Sequence, residues 1–254
     1  MRCYSPAPAP RGGARGIATI EAMCGRYAFY KAHPELRHLG RKEIDEHGRK
    51  TPPIELPLFE AYNVAPTQDA LVLRIGEDGA PRADLLRWGL VPPWAKDLKF
   101  GARCINARSE EAAKKPAFRA AWKARRCVVP ADGFYEWDSA AKPKRPWYFS
   151  HAKGDALGFA GLWESWTDKA TGEVVDTFTV LTRAAYPKVR PVHDRSPLIL
   201  PPDRWDGWLD PARRDPAPVL DGVPDPHLAA WPVSYLVSNA RNQGAELIEP
   251  VAAK

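Results

Sequence analysis

The sequence predicts one α+β domain built mainly on antiparallel sheet, and three observations predict it. Short apolar runs of strand length recur along the chain and end at Gly, Asp or Pro. The helical stretches are short and do not alternate with strands in the βαβ manner that makes a parallel sheet. Twenty-seven prolines in 254 residues fix many turns and leave little room for long helices.

Taken in order, residues 1–22 (MRCYSPAPAPRGGARGIATIEA) hold too few large apolar side chains to offset their own ordering entropy. An extension over 1–23, disordered or absent, is therefore expected, with the domain over 24–254. The stretch lacks the continuous apolar core of a signal peptide. It is either a leader cut after Met23 or the result of a start assigned too far upstream. The second is favoured, because Met before a small residue is removed routinely. Both leave Cys24 as the first residue.

Residues 33–47 show mixed helical spacing and predict a short helix. Residues 60–67 read as an extended loop ending in a turn set by Pro66. A strand over 70–75, a hairpin at Asp78-Gly79 and a strand over 83–90 follow. Ser109-Glu110-Glu111 caps a helix with acids in its first turn, and Pro116 opens another through Trp122. Strands over 125–130 and 133–138 flank a turn at Ala131-Asp132. Residues 147–150, 157–166 and 177–182 continue the β pattern, with a turn over 168–172. A helix over 201–209 sets Trp205 and Leu209 on one face, 210–226 reads as a surface loop, and 233–237 as a last strand.

Composition narrows the function classes. No apolar run approaches the ~20 residues that span a bilayer. The net charge of +6 favours anionic partners, and ten tryptophans supply flat faces for a core or for stacking on bases. The four cysteines, Cys3, Cys24, Cys104 and Cys127, show neither metal-ligand spacing nor a secreted disulfide framework. No metal or cofactor is expected, and a reducing cytoplasm fits. Cys104 and Cys127 sit beside apolar neighbours and read as buried and inert.

Four segments gather polar groups beside rigid or aromatic neighbours: Cys24-Gly25-Arg26-Tyr27, Asn106-Ala107-Arg108-Ser109-Glu110, Gly133-Phe134-Tyr135-Glu136-Trp137 and His193-Asp194-Arg195-Ser196-Pro197. With the loop Tyr62-Asn63-Val64-Ala65-Pro66-Thr67, the run RWGLVPPW from Arg87 and the strand ending Val180-Leu181-Thr182, they form a set in fixed order. This set resembles the SOS response-associated peptidase (SRAP) family, also called the abasic site processing family, from about Cys24 to Val251. One position departs: the family usually has Met where Ser196 stands.

The resemblance implies a barrel-like, curved antiparallel sheet with short flanking helices. It also implies an enzyme that binds abasic sites in single-stranded DNA and becomes joined to them through an N-terminal cysteine. The chemistry suits Cys24. An abasic sugar opens to an aldehyde, the α-amine can form a Schiff base, and the thiol can close on the imine to a five-membered thiazolidine. By position, Asn106 orients cysteine and sugar, Glu136 handles protons at the amine and sugar hydroxyl, and His193 shuttles protons during ring opening and imine formation. Arg26, Arg108 and Arg195 match phosphate-holding residues, with Thr182 adding a hydrogen bond. Trp137 is expected to stack on a flanking base, and Trp88 with Pro66 to keep the strand bent. Trp88 and Trp137 also fit a plain core role, Arg108 a surface pair with Glu110 or Glu111, and Asn63 and Pro66 a loop-shaping role.

The expected partner is single-stranded DNA bearing abasic sites, met by a monomer at the nucleoid. Two other functions compete: a thiol autopeptidase that removes its own leader before Cys24, and a non-catalytic single-stranded DNA-binding module.

Overall fold

The computed structural model describes residues 25–39, 53–76 and 78–252. The extension over 1–23 and Cys24 itself lie outside the described residues. In chain order the strands are β1 (Arg26–Phe29), β2 (Ala61–Val64), β3 (Asp69–Ile75), β4 (Pro81–Trp88), β5 (Asn106–Arg108), β6 (Arg126–Ala131) and β7 (Gly133–Asp138). There follow β8 (Arg145–His151), β9 (Leu157–Thr167), β10 (Val174–Ala184), β11 (Arg195–Pro197), β12 (Ile199–Leu200) and β13 (Leu228–Pro232). The helices are α1 (Ser109–Ala112), α2 (Arg119–Ala124), α3 (Pro202–Leu209) and α4 (Ala217–Leu220).

Two sheets form. The larger begins with the β9–β10 hairpin, whose turn is drawn together where Gly172, at φ 76°, donates its N–H to the Asp168 carbonyl. From β10 the ladder runs antiparallel through β9, β6, β3 and β4. Strand β4 then meets β10 in parallel, Arg87 opposite Thr177 and Trp88 opposite Phe178, and the sheet closes on itself. Closure removes the open edges that a free sheet would expose. Strand β5 continues the parallel seam along β10 past the end of β4, and β11 pairs with the end of β10. The second sheet, in the order β13-β8-β7-β1-β2, packs against this barrel. The α+β, mainly antiparallel and barrel-like expectation therefore holds. Among the described residues, no helix is long and apolar enough to cross a membrane.

Several local expectations shift, each for a physical reason. The turn at Ala131-Asp132 is present, but it carries the chain from the barrel to the second sheet instead of closing a hairpin. Residues 60–67 contain a strand, because β1 offers β2 a pairing edge. The strand expected over 83–90 stops at Trp88, where Gly89 takes φ 124°. The last strand is β13; Pro232 ends its pairing, and the Ser234 hydroxyl caps a 3-10 turn over Tyr235–Ser238 by accepting the Leu236 N–H at 3.2 Å. Of the helix expected over 33–47, the 3-10 turn Pro34–His38 is seen and 40–47 lies outside the described residues. Ser109 lies inside α1, with Arg108 at its cap position, and α2 begins at Arg119, three residues beyond Pro116.

Residues 210–226 are more than a surface loop. Val219 on α4 is buried, and the buried Arg126 guanidinium donates to the carbonyls of Trp122 (2.7 Å), Trp208 (2.6 Å), Arg213 (3.0 Å) and Asp210. It ties the segment after α3 to the barrel and supplies the donors that the ends of α2 and α3 lack.

Asp132 makes the crossing between sheets rigid. Its buried carboxylate accepts the N–H groups of Tyr30 (2.6 Å) and Lys31 (3.0 Å) and lies 2.8 Å from His33 Nε2. Burial pushes the Asp132 pKa up, but these hydrogen bonds outweigh it and hold the group below the usual carboxylate range. Because the folded pKa is depressed, this stabilisation is present above the unfolded value and is lost as pH falls through the folded one. Asp132→Ala is expected to destabilise the protein by about 3 kcal/mol, read from urea denaturation near neutral pH. A change under about 0.5 kcal/mol, the range of ordinary surface substitutions, would refute the anchoring role.

Candidate functional site

Side-chain alternation decides what meets what. Strand β1 pairs with β7 so that Arg26 faces Tyr135 and Tyr27 faces Phe134. Tyr27, Phe134 and Glu136 therefore share the face turned to the barrel, where Phe134 lies edge-on to Phe159 of β9. The same register carried back one residue sets Gly25 level with Glu136. Glu136 is 2% exposed, so its carboxyl lies within the protein between the two layers.

On the barrel, the parallel seam pairs Asn106 with Val180 and Arg108 with Thr182, while Arg195 pairs with Ala184. Asn106, Arg108, Thr182 and Arg195 thus lie on one face, continuous with Phe178 and Val180. His193 stands two residues before Arg195 and is bound to it: its Nδ1 accepts the Arg195 backbone N–H at 3.0 Å. In the neutral ring this leaves the proton on Nε2. Asp194 Oδ1, 3.2 Å from Nδ1, is in reach of the protonated ring.

The two faces meet at Trp88, and this corrects one expectation. Trp88 is 1% exposed and cannot offer a face to a nucleotide. It is instead the joint of the site. Its ring packs against Tyr27 at 5.3 Å and stacks on Phe178 at 6.1 Å. Its indole N–H donates to the Ile105 carbonyl at 2.8 Å, which also accepts the Val180 N–H at 3.1 Å. Its own backbone holds the Pro66 turn: Thr67 N–H donates to the Trp88 carbonyl at 2.8 Å, and Trp88 N–H to the Gln68 carbonyl at 2.9 Å. Glu136 shares its sheet face with Tyr27, and Asn106 follows Ile105, so each stands near a partner of Trp88; Pro66 itself is half-buried.

Arg26 and Trp137 lie on the other face of the second sheet, away from Glu136. The Arg26 guanidinium donates to Asn63 Oδ1 (2.9 Å), Val237 O (2.7 Å) and Ser238 O (3.3 Å), and sits 5.9 Å over the Trp137 ring. Burial lowers its pKa, yet an arginine so placed remains charged. Asn63 donates to the carbonyls of Val237, Asn239 and Asn242, so it is a buried lock for the segment after β13 and not simply a loop residue. Gln243 completes that lock by accepting the N–H groups of Tyr62 and Asn63. This amide-rich segment passed unremarked in the sequence; its run of Asn and Gln between apolar residues was the available signal.

Arg108 is exposed, and neither Glu110 nor Glu111 is its ion-pair partner. Glu111 pairs with Lys115 at 2.8 Å, and Glu110 with Arg195 at 2.8 and 2.9 Å. The buried Thr182 lies beneath Arg195, which donates to its carbonyl at 2.8 Å. Ser196 is fully buried, on the opposite face of β11 from Arg195.

A further surface residue emerges from the structure. The loop between β4 and β5 folds back where Gly89 and Gly101 touch so closely that a Cβ on Gly101 would lie 2.3 Å from the Gly89 carbonyl oxygen. It lifts Trp94 to 56% exposure, edge-on to Phe100 at 5.1 Å, with Arg103 over the Phe100 ring at 4.9 Å. Lys96 and Lys99 are exposed on the same loop. An exposed tryptophan among cations, leading directly into β5, is a surface on which a base can stack.

Cys104 and Cys127 are both buried, as expected. Burial pushes the Cys104 thiol up to about 11 and raises that of Cys127 further, so neither supplies a thiolate near neutral pH.

Residues 23–240 match the family described as SOS response associated peptidase (SRAP). The abasic site processing protein YoaM of Bacillus subtilis (strain 168) is 37% identical over 232 residues, covering 89% of this chain and 98% of that protein. The abasic site processing protein YedK of Escherichia coli (strain K12) is 30% identical over 233 residues, covering 90% and 100%. A crystal structure of a protein from Bordetella bronchiseptica superposes with a TM-score of 0.67 at 27% identity, covering 83% of this chain and all of that one. The chain belongs to the SOS response associated peptidase family.

Proposed function

We propose that this protein captures abasic sites in single-stranded DNA as a covalent thiazolidine on Cys24, which acts as the N-terminal residue of a working domain over 24–254. The observation that carries the reading is the meeting of two polar faces at Trp88. Trp88 packs on Tyr27, whose sheet face carries Glu136, and on Phe178, whose barrel face carries Asn106, which supports a site shared by the two faces. The names of the relatives point to the same lesion.

The steps balance without an external oxidant or reductant. The Cys24 α-amine adds to the aldehyde carbon of the opened sugar and passes a proton to the resulting oxygen. The carbinolamine hydroxyl takes up a proton and leaves as water, and the nitrogen gives up its own proton, giving a neutral imine. The thiol sulfur then bonds to the imine carbon, and its proton goes to nitrogen. Glu136 and His193 Nε2 are the proton carriers, and Asn106 holds the sugar by hydrogen bonds. Ring closure is favoured because amine and thiol belong to one residue. No metal or cofactor is called for.

Arg108 is the phosphate anchor nearest Asn106, with Arg195 and Arg26 extending the backbone track; Thr182, 0% exposed, supports Arg195 from beneath and does not itself reach a phosphate. Trp137 and Trp94 are stacking faces at either side, and Pro66 a wedge. We take the protein to act as a monomer on DNA in the cytoplasm.

The test is incubation of protein beginning at Cys24 with an oligonucleotide bearing one abasic site, followed by a denaturing gel. A heat-stable adduct is expected from the wild type and none from Cys24→Ala. An adduct of equal yield from Cys24→Ala would overturn the assignment.

A further inference from the structure

The Arg195–Glu110 ion pair puzzles in one respect. Arg195 lies among residues suited to a DNA backbone, yet its guanidinium is already held by Glu110 in a two-pronged pair of 2.8 and 2.9 Å. That fork is the one a phosphate would use. The carboxylate comes from the first turn of α1, directly after Asn106 and Arg108 on β5, so it reaches across the site-bearing face to β11. The pair spans a boundary: the Arg195 side chain is 12% exposed and the Glu110 side chain 51%. Glu110 can swing out to water, whereas Arg195 is fixed from beneath by the Thr182 carbonyl at 2.8 Å and oxygen Oγ1 at 3.4 Å.

We propose that Glu110 is an internal stand-in for phosphate, so that nucleic acid engages Arg195 by displacing the Glu110 carboxylate. Glu110 thereby weakens reversible binding of every strand by the same factor. This inference rests on the single-stranded DNA reading above and adds to it a residue that opposes binding. Every strand, damaged or intact, must break the Glu110 pair to reach Arg195. Only an abasic strand then gains the covalent bond. A neighbouring carboxylate also repels the incoming phosphate until it moves.

The charged groups around Glu110 support an exchange of ions and not of protons. The Arg195 hydrogen bonds pull its pKa down to about 2, so it stays ionised wherever the protein works. Glu111 is engaged with Lys115, and Arg108 on β5 remains to receive a phosphate beside the vacated pair.

The test is fluorescence anisotropy with labelled intact oligothymidine, comparing wild type, Glu110→Gln, Arg195→Gln and the double variant. Glu110→Gln is expected to bind about three- to tenfold tighter at low salt, the size of a partly exposed ion pair, with the gain shrinking as salt rises. In the Arg195→Gln background the gain should vanish. Equal or weaker binding by Glu110→Gln overturns the proposal. So does a gain that persists without Arg195, which would mark a general charge effect. Glu110→Asp, which keeps the charge, should bind closer to wild type. Failure of the wild type to bind oligothymidine would instead count against the DNA reading itself.

Discussion

Glu136→Gln is expected to slow adduct formation with an abasic oligonucleotide by about 10²- to 10⁴-fold while leaving affinity for intact strand unchanged. Glutamine keeps the shape and most hydrogen-bonding capacity of glutamate, but it cannot exchange a proton. Glu136 is 2% exposed and sits on the face of β7 that looks at the barrel, level with the start of β1. In the proposed mechanism a group there meets the reacting residue and sugar, not the distant backbone. The measurement is a single-turnover gel time course beside anisotropy with intact strand. An unchanged rate would remove Glu136 from the chemistry. A parallel loss of rate and affinity would reduce it to a packing residue.

Trp88→Ala should cost about 3–5 kcal/mol in urea denaturation, and the surviving folded protein should crosslink poorly. The cost comes from losing the contacts with Tyr27 and Phe178 together with the hydrogen bond to Ile105. Trp88→Phe separates these contributions. It retains an aromatic filler but gives up the indole N–H, leaving the Ile105 carbonyl to Val180 alone, at about 0.5–1.5 kcal/mol. Its adduct rate should fall more than its stability, because the carbonyl lies immediately before Asn106. A Phe variant that matches the wild type in rate would deny Trp88 its role as the joint between the two faces.

Strand periodicity and turn residues made much of the fold legible in the sequence. The β9–β10 hairpin and helix α3 fall close to where local pattern sets them, since each depends on nearby residues: a glycine at positive φ, or two apolar side chains four apart. The elements that moved depend on distant partners. Residues 61–64 became a strand only because β1 lay beside them, and 235–238 became a 3-10 turn because Asn63 and Arg26 take up its carbonyls.

The same division runs through the site. By itself the sequence determined which residue types were available, a candidate N-terminal cysteine with asparagine, glutamate, histidine and arginine in a family's order. Those side chains carry their chemistry wherever they stand. Tertiary structure alone decided the surroundings of Trp88, Trp94 and Glu110. Whether a tryptophan faces a nucleotide or a core depends on what packs over it, and whether an arginine awaits a phosphate depends on which carboxylate reaches it first. Both are settled by strand alternation and sheet closure across more than eighty residues of chain, as in the Glu110–Arg195 separation of 85.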